Sequence, residues 1–259
     1  MKGKKTQKGE IVIKRADEIE KMRVAGKLAS QVLDMIGAYV KVGVTTVELD
    51  DICHQYMVDV QKVIPAPLNY KGFPKSICTS VNHQVCHGIP SQKKLKKGDI
   101  INIDITVIYE GYHGDTSRMF EVGKTSVAAS RVCEISRTCL ELGIEQVKPG
   151  NHFGDIGAVI DRYAKKNHCS VVEDYCGHGV GAIFHEPPHV LHYKIDDQGE
   201  AFVPGMIFTI EPMINLGKKE VKIMGDKWTV VTKDHSLSAQ WEHTILVTET
   251  GHEVLTVSG

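Results

Sequence analysis

The residues best suited to chemistry are acids at the ends of apolar strands. Gly98-Asp99-Ile100-Ile101-Asn102-Ile103-Asp104 reads as glycine, apolar strand, carboxylate, and Gly205-Met206-Ile207-Phe208-Thr209-Ile210-Glu211 repeats that pattern 107 positions later. Strands this rich in Ile and Phe are built for burial. An ionised acid there is costly unless something positive meets it. Each acid has a second one downstream, Asp115 after Asp104 and Glu242 after Glu211. If the four converge, their charge of about −4 forces proton uptake unless cations cancel it. Two divalent ions, held by oxygen-rich ligands in the usual hydrolytic pairing, would do so. A single strand acid reads equally well as a solvated hairpin residue or an ion-pair partner. The repetition favours a metal site.

Three of the 13 histidines sit in unusual contexts. His178 lies in Gly177-His178-Gly179-Val180-Gly181, where glycine lets backbone approach a ligand closely. No Lys-Ser/Thr follows, as a phosphate-binding loop requires, so an imidazole metal ligand is the better reading. His87 and His185 each open a His-x-x-Pro segment ahead of a rigid turn, a pattern that also fits surface loops. Cys86 adjoins His87, but no Gly-x-Ser-x-Gly elbow is present, and nucleophilic catalysis is poorly supported.

The elements that must position these groups also repeat. Asp17 with Glu20 reads as a helix cap, followed by a stripe from Ile19 to Ile36. Thr45 with Glu48 caps a second helix, whose Lys41, Gly43, Glu48, Leu49, Ile52 and Tyr56 are echoed by Lys148, Gly150, Asp155, Ile156, Val159 and Tyr163 at the same offset. Two echoes at one offset argue for internal duplication. A long helix is expected over 126–146. Each acid-bearing strand should continue as a hairpin, the first turning at Glu110-Gly111 and the second carrying 20 extra residues that include Trp228. The expected fold class is α+β, a curved and mainly antiparallel sheet backed by helices. Residues 1–10 read as a flexible basic tail, and residues 11–259 as one domain with halves of roughly 11–124 and 125–259.

The 259 residues are 42% hydrophobic and 24% charged with a net charge of −1. That balance excludes a global field for DNA or an anionic membrane. No apolar run approaches the ~18 residues of a membrane span, and the N-terminus lacks the apolar stretch of a secretory signal. Seven scattered cysteines without a Cys-x-x-Cys pair read as buried reduced thiols of a cytoplasmic protein.

Five segments then stand together: Asn102-Ile103-Asp104-Ile105-Thr106, Gly114-Asp115-Thr116-Ser117, Gly177-His178-Gly179-Val180-Gly181, Phe208-Thr209-Ile210-Glu211-Pro212 and Gln240-Trp241-Glu242-His243-Thr244. With them the chain resembles the methionine aminopeptidases over residues 12 to 257, in the short type I form of bacteria and organelles. The resemblance implies the pita-bread fold of two pseudo-symmetric halves. It implies two divalent ions, Co, Mn, Fe or Zn, on Asp104, Asp115, His178, Glu211 and Glu242, with Asp115 and Glu242 bridging. It further implies Glu211 as proton shuttle for a hydroxide between the ions, His87 at the scissile amide nitrogen and His185 at the carbonyl. Tyr70, Phe73, Cys78, Phe184 and Trp228 match the methionine pocket, and thioether contacts suit such walls. Pro67 replaces the cysteine of many bacterial members, so the pocket rim differs there.

The implied substrates are nascent chains and peptides with N-terminal methionine and a small second residue, the implied assembly a monomer. The run Lys93-Lys94-Leu95-Lys96-Lys97, with Lys218, Lys219, Lys222 and Lys227, reads as solvated turns or as a surface for ribosomal RNA. Two alternatives stay open: a prolidase or aminopeptidase P on the same scaffold, and a non-catalytic binding protein.

Overall fold

The computed structural model describes residues 9–258; the expected basic tail lies outside them except for Gly9 and Glu10. Four helices carry the scaffold: α1 (Ala16–Gly37), α2 (Thr46–Gln55), α3 (Val127–Glu145) and α4 (Phe153–Lys166). In α1 the expected stripe is buried, with Met22, Ala25, Ala29, Val32, Leu33 and Ile36 facing inward. Its cap differs from the expected Asp17 and Glu20. Arg15 is the N-cap, and Glu18, three residues on, accepts its backbone N–H at 2.8 Å. Asp17 instead faces solvent and pairs with the Arg15 guanidinium at 3.0 Å. In α2 the expected cap forms, with Thr45 Oγ1 accepting from Glu48 N at 3.2 Å and Glu48 accepting from Thr45 N at 2.7 Å. Ser126 caps α3 by accepting from Ala129 N at 3.1 Å.

The duplication is written in the backbone. Gly43 and Gly150 have φ of 93° and 94°, and Gly98 and Gly205 have 94° and 91°, left-handed conformations that glycine adopts without strain. Thr45 bridges Lys94, and at the same offset His152 bridges Ala201. His152 N-caps α4, where Asp155 accepts its backbone N–H at 2.8 Å, as Glu48 does for Thr45.

In the first half, strands Ile100–Tyr109 and Tyr112–Glu121 pair over their full length. The turn is Glu110-Gly111, with φ of 46° and 84°. Side chains alternate across a strand. Ile101, Ile103, Ile105 and Val107 enter the core beneath α1 and α2, while Asn102, Asp104 and Thr106 share the opposite face. Gly114 lets α1 close on this hairpin, since a Cβ there would stand 2.3 Å from the Ala25 backbone. In the second half, Ile207–Ile210 lies inside a five-stranded sheet, paired with His243–Val247 and Gly177–Gly179. Its core joins Val132, Cys139, Ile156, Ile160, Phe208 and Ile245.

The second acid-bearing segment is not one hairpin, contrary to expectation. Met213–Asn215 pairs with Ser238–Gln240, and within that frame Val221–Ile223 pairs with Val230–Thr232. This inner hairpin docks on Gln84–Cys86 of the first half. Beside that pairing, Thr232 N donates to the His83 carbonyl at 3.0 Å.

Polar side chains stitch the halves where the acids stand. Asn102 Nδ2 donates to the Gln240 carbonyl at 2.7 Å, Thr116 Oγ1 to the Glu242 carbonyl at 2.7 Å, and Thr244 Oγ1 to the Asp115 carbonyl at 2.7 Å. Buried backbone acceptors need such partners, so the seam fixes how the two strand pairs meet.

Candidate active site

One cavity of about 590 Å³ opens at that seam. Its lining brings together all twelve residues singled out in the sequence: Asp104, Asp115, His178, Glu211, Glu242, His87, His185, Tyr70, Phe73, Cys78, Phe184 and Trp228. The acids come from both halves. Thr106 faces Asp115 across the first hairpin, and His243 faces Ile210 across the second strand pair, which sets Glu242 beside Glu211.

Three donors form the tightest group, with ligand atoms of Asp115, His178 and Glu242 all within 4.8 Å of one another. His178 Nε2 stands 3.6 Å from both Asp115 Oδ2 and Glu211 Oε1. Its other nitrogen, Nδ1, lies 3.0 Å from the Gly179 carbonyl. That contact puts the proton on Nδ1 and leaves the Nε2 lone pair facing the carboxylates, the arrangement of a metal-ligating imidazole. Burial pulls the His178 pKa down to about 4, keeping the ring neutral.

The carboxylates are held in the opposite sense. Burial first, then the Asp115 charge, pushes Asp104, Glu211 and Glu242 well above the ordinary range. Burial lifts Asp115 to about 7 against the hydrogen bond from Thr106. Thr106 Oγ1 donates to Asp115 Oδ1 at 2.7 Å, leaving Oδ2 toward the cavity. Glu211 accepts from Thr209 Oγ1 at 2.8 Å and from Gln240 Nε2 at 3.1 Å. Among the described residues no Lys or Arg pairs with any of the four, and no side chain donates to the carboxylates of Asp104 or Glu242. Four acids that no Lys or Arg of the described residues pairs with, beside a lone-pair-bearing imidazole, fit divalent cations by donor chemistry and by charge.

The other two histidines flank this group. His87 takes a left-handed φ of 54°, and burial lowers its pKa to about 4. Its ring meets Tyr175 and Trp228 edge to face at 5.6 and 6.3 Å. His185 lies 4.2 Å from the His178 ring, centroid to centroid. Its loop is braced by an ion pair between Lys14 and Glu186, both nearly inaccessible, and by His113 Nδ1 against the Gly181 carbonyl at 2.8 Å. Phe73 and Trp228 meet edge to face at 5.2 Å, and Tyr70 and Phe184 pack at 4.8 Å with their planes tilted by 50°. These aromatics and the buried Cys78 make the apolar end of the cavity.

Sequence reasoning missed several supports. Thr106, Thr209 and Gln240 orient the acids but belong to apolar strand patterns that signal nothing polar. Buried His192 accepts the Glu211 backbone N–H on Nε2 at 3.1 Å, and no local motif marks it. Tyr175, Cys176, His189 and Met213 also line the cavity. All seven cysteines are free thiols, and only Cys176 is not fully buried.

Fold and site together define a pita-bread metallohydrolase, and the chain belongs to metallopeptidase family M24, whose Peptidase_M24 model matches residues 20–249. It is 57% identical over 248 residues to the methionine aminopeptidase of Salmonella typhimurium, covering 95% of this chain and 94% of that one. The solved methionine aminopeptidase of Rickettsia prowazekii superposes with a TM-score of 0.94 at 51% identity, over 96% of this chain and all of that chain. Within the family, the chain therefore falls among the methionine aminopeptidases. Prolidase from Pyrococcus furiosus shares the fold, with a TM-score of 0.72 at 24% identity, and this chain covers 66% of its length.

Proposed function

We propose that the chain removes N-terminal methionine from peptides and new proteins with a small second residue, as a dinuclear metal-dependent aminopeptidase. The observation that carries this is the convergence of Asp104, Asp115, His178, Glu211 and Glu242 on one cavity that also ends in an aromatic, sulfur-containing pocket. Those five would hold two ions. Bound ions supply Lewis acidity and water of near-neutral pKa.

The chain's own residues do the rest. Glu211, gripped on both oxygens by Thr209 and Gln240, takes a proton from the attacking water and gives it to the leaving amine. His185 donates to the scissile carbonyl as negative charge develops on its oxygen, and His87 faces the amide nitrogen. The methionine side chain packs against Tyr70, Phe73, Cys78, Phe184 and Trp228. The metal is Co, Mn, Fe or Zn, since each accepts mixed carboxylate and imidazole ligands.

We take residues 11–259 as one catalytic domain whose halves meet near residue 124, acting as a monomer in the cytoplasm. Among the described residues no helix is long and apolar enough to cross a membrane. Lys222 and Lys227 lie on or beside the hairpin that reaches from the second half to the first. With the lysines of 93–97 they suit ribosomal RNA, and ribosome co-sedimentation that weakens with salt is the expected result; binding absent at low salt would remove that partner.

Glu211→Gln tests the mechanism. It should fold and bind metal yet hydrolyse Met-Ala-Ser about 10²- to 10⁴-fold more slowly. Unimpaired turnover would reject the assignment.

A further inference from the structure

His185 needs a proton on Nε2 to serve the scissile carbonyl, and a neutral imidazole carries its single proton on either nitrogen. Something must choose. Tyr70 Oη lies 2.9 Å from His185 Nδ1, and among the described residues it has no other hydrogen-bond partner. The two rings run nearly parallel, 24° apart with centroids at 5.3 Å. Phe184 packs against both, at 4.8 Å from Tyr70 and 4.2 Å from His185, so neither ring swings freely.

The backbone that presents Tyr70 is strained. Asn69 and Lys71 have φ of 67° and 48°, and a left-handed Lys is sterically uncommon. Strain of this kind persists where surrounding contacts over-determine a functional position. Here Asn69 N donates to the Phe73 carbonyl at 2.8 Å and Tyr70 N to the Pro67 carbonyl at 3.0 Å. A wall of the methionine pocket would need only the Tyr70 ring, whereas this loop also aims its hydroxyl.

Resting on the aminopeptidase reading, we infer that Tyr70 is a positioning residue: its hydroxyl donates to His185 Nδ1, fixing the tautomer whose Nε2–H faces the scissile carbonyl. With the proton on Nδ1 instead, the Nε2 lone pair would oppose the carbonyl oxygen. The hydroxyl thus acts through His185, and the ring acts on the methionine side chain. One residue would couple recognition of methionine to the donor that stabilises negative charge.

Tyr70→Phe keeps the ring and removes only the hydroxyl. In metal-loaded protein assayed on Met-Ala-Ser, kcat should fall about 10-fold, with KM and bound metal within about 2-fold of the parent. In a His185→Ala background the same change should have no further effect, because the group it serves is gone. An unchanged kcat in the single variant, a loss carried by KM, or an equal loss in the His185→Ala background would overturn the inference. Parent protein inactive on Met-Ala-Ser would instead defeat the aminopeptidase reading, so the two failures are distinct.

Discussion

The two halves of the molecule were laid down on one plan and then diverged in one place. Helices α1 and α2 correspond to α3 and α4, the turn glycines keep their φ, and the strand bridges recur at the same offset. In the first half, Asp104 and Asp115 stand on the two arms of an uninterrupted hairpin, Asp104 opposite Ser117 and Asp115 opposite Thr106. In the second, Glu211 and Glu242 are separated by four further strands and by Trp228. The added chain leaves the acids at the seam and reaches across to Gln84–Cys86. The shared framework places the donors, and the asymmetric insertion places a wall of the pocket.

The pseudo-equivalent pair Asp104 and Glu211 offers the sharpest way to break this comparison. Both close the repeated glycine-apolar-acid segment, yet only Glu211 is assigned to carry protons. Asp104→Asn should weaken metal affinity by at least about 100-fold, and excess metal should recover most turnover. Glu211→Gln should stay slow however much metal is added. Equal recovery, or equal failure to recover, would erase the division of roles.

Metal removal should expose the electrostatic cost that both halves share. A carboxylate raised in the folded state still holds its proton when the unfolded chain has lost its own, so stability falls as pH climbs from the ordinary value through the raised one. Asp115, raised to about 7, and the higher Asp104, Glu211 and Glu242 act this way. Buried His87 and His178, lowered to about 4, and His185 and His192, lowered to about 3, act oppositely. Their contribution grows with pH but is complete above the unfolded value near 6.5. Metal-free protein should therefore lose melting temperature from pH 6.5 to 8, and metal-loaded protein should hold it. A metal-free melting temperature that rises over that window would refute the charge balance.

The insertion is tested by a smaller effect. Trp228→Ala removes the partner of Phe73 and His87, and should lower kcat/KM on Met-Ala-Ser by roughly 10- to 30-fold, about 1.5–2 kcal/mol. Bound metal should not change, since the insertion contributes no donor. Loss of metal in this variant would tie the insertion to the site itself.

Much of this was legible in the sequence because duplication makes weak local signals count twice. The Thr45 cap and the Glu110-Gly111 turn rest on short-range patterns that tertiary structure respects, whereas Asp104, read as the end of its strand, lies inside the strand Ile100–Tyr109. What stayed hidden depends on partners remote in sequence. Arg15 caps α1 although it is no standard capping residue, because Glu18 closes the box from within the first turn. The insertion looked like a longer hairpin because nothing local records that Val230 will pair with Cys86. Gln240 and His192 hold Glu211 from 29 and 19 residues away, and no local pattern links them to it.

The central claim is that the two halves together build a cation site required for catalysis. Adding one ion type stepwise to chelator-treated protein, while measuring bound metal and Met-Ala-Ser hydrolysis, tests it most directly. The account predicts negligible turnover without metal, and activity that rises as ions fill the site up to two per chain. Full turnover by metal-free protein would contradict it.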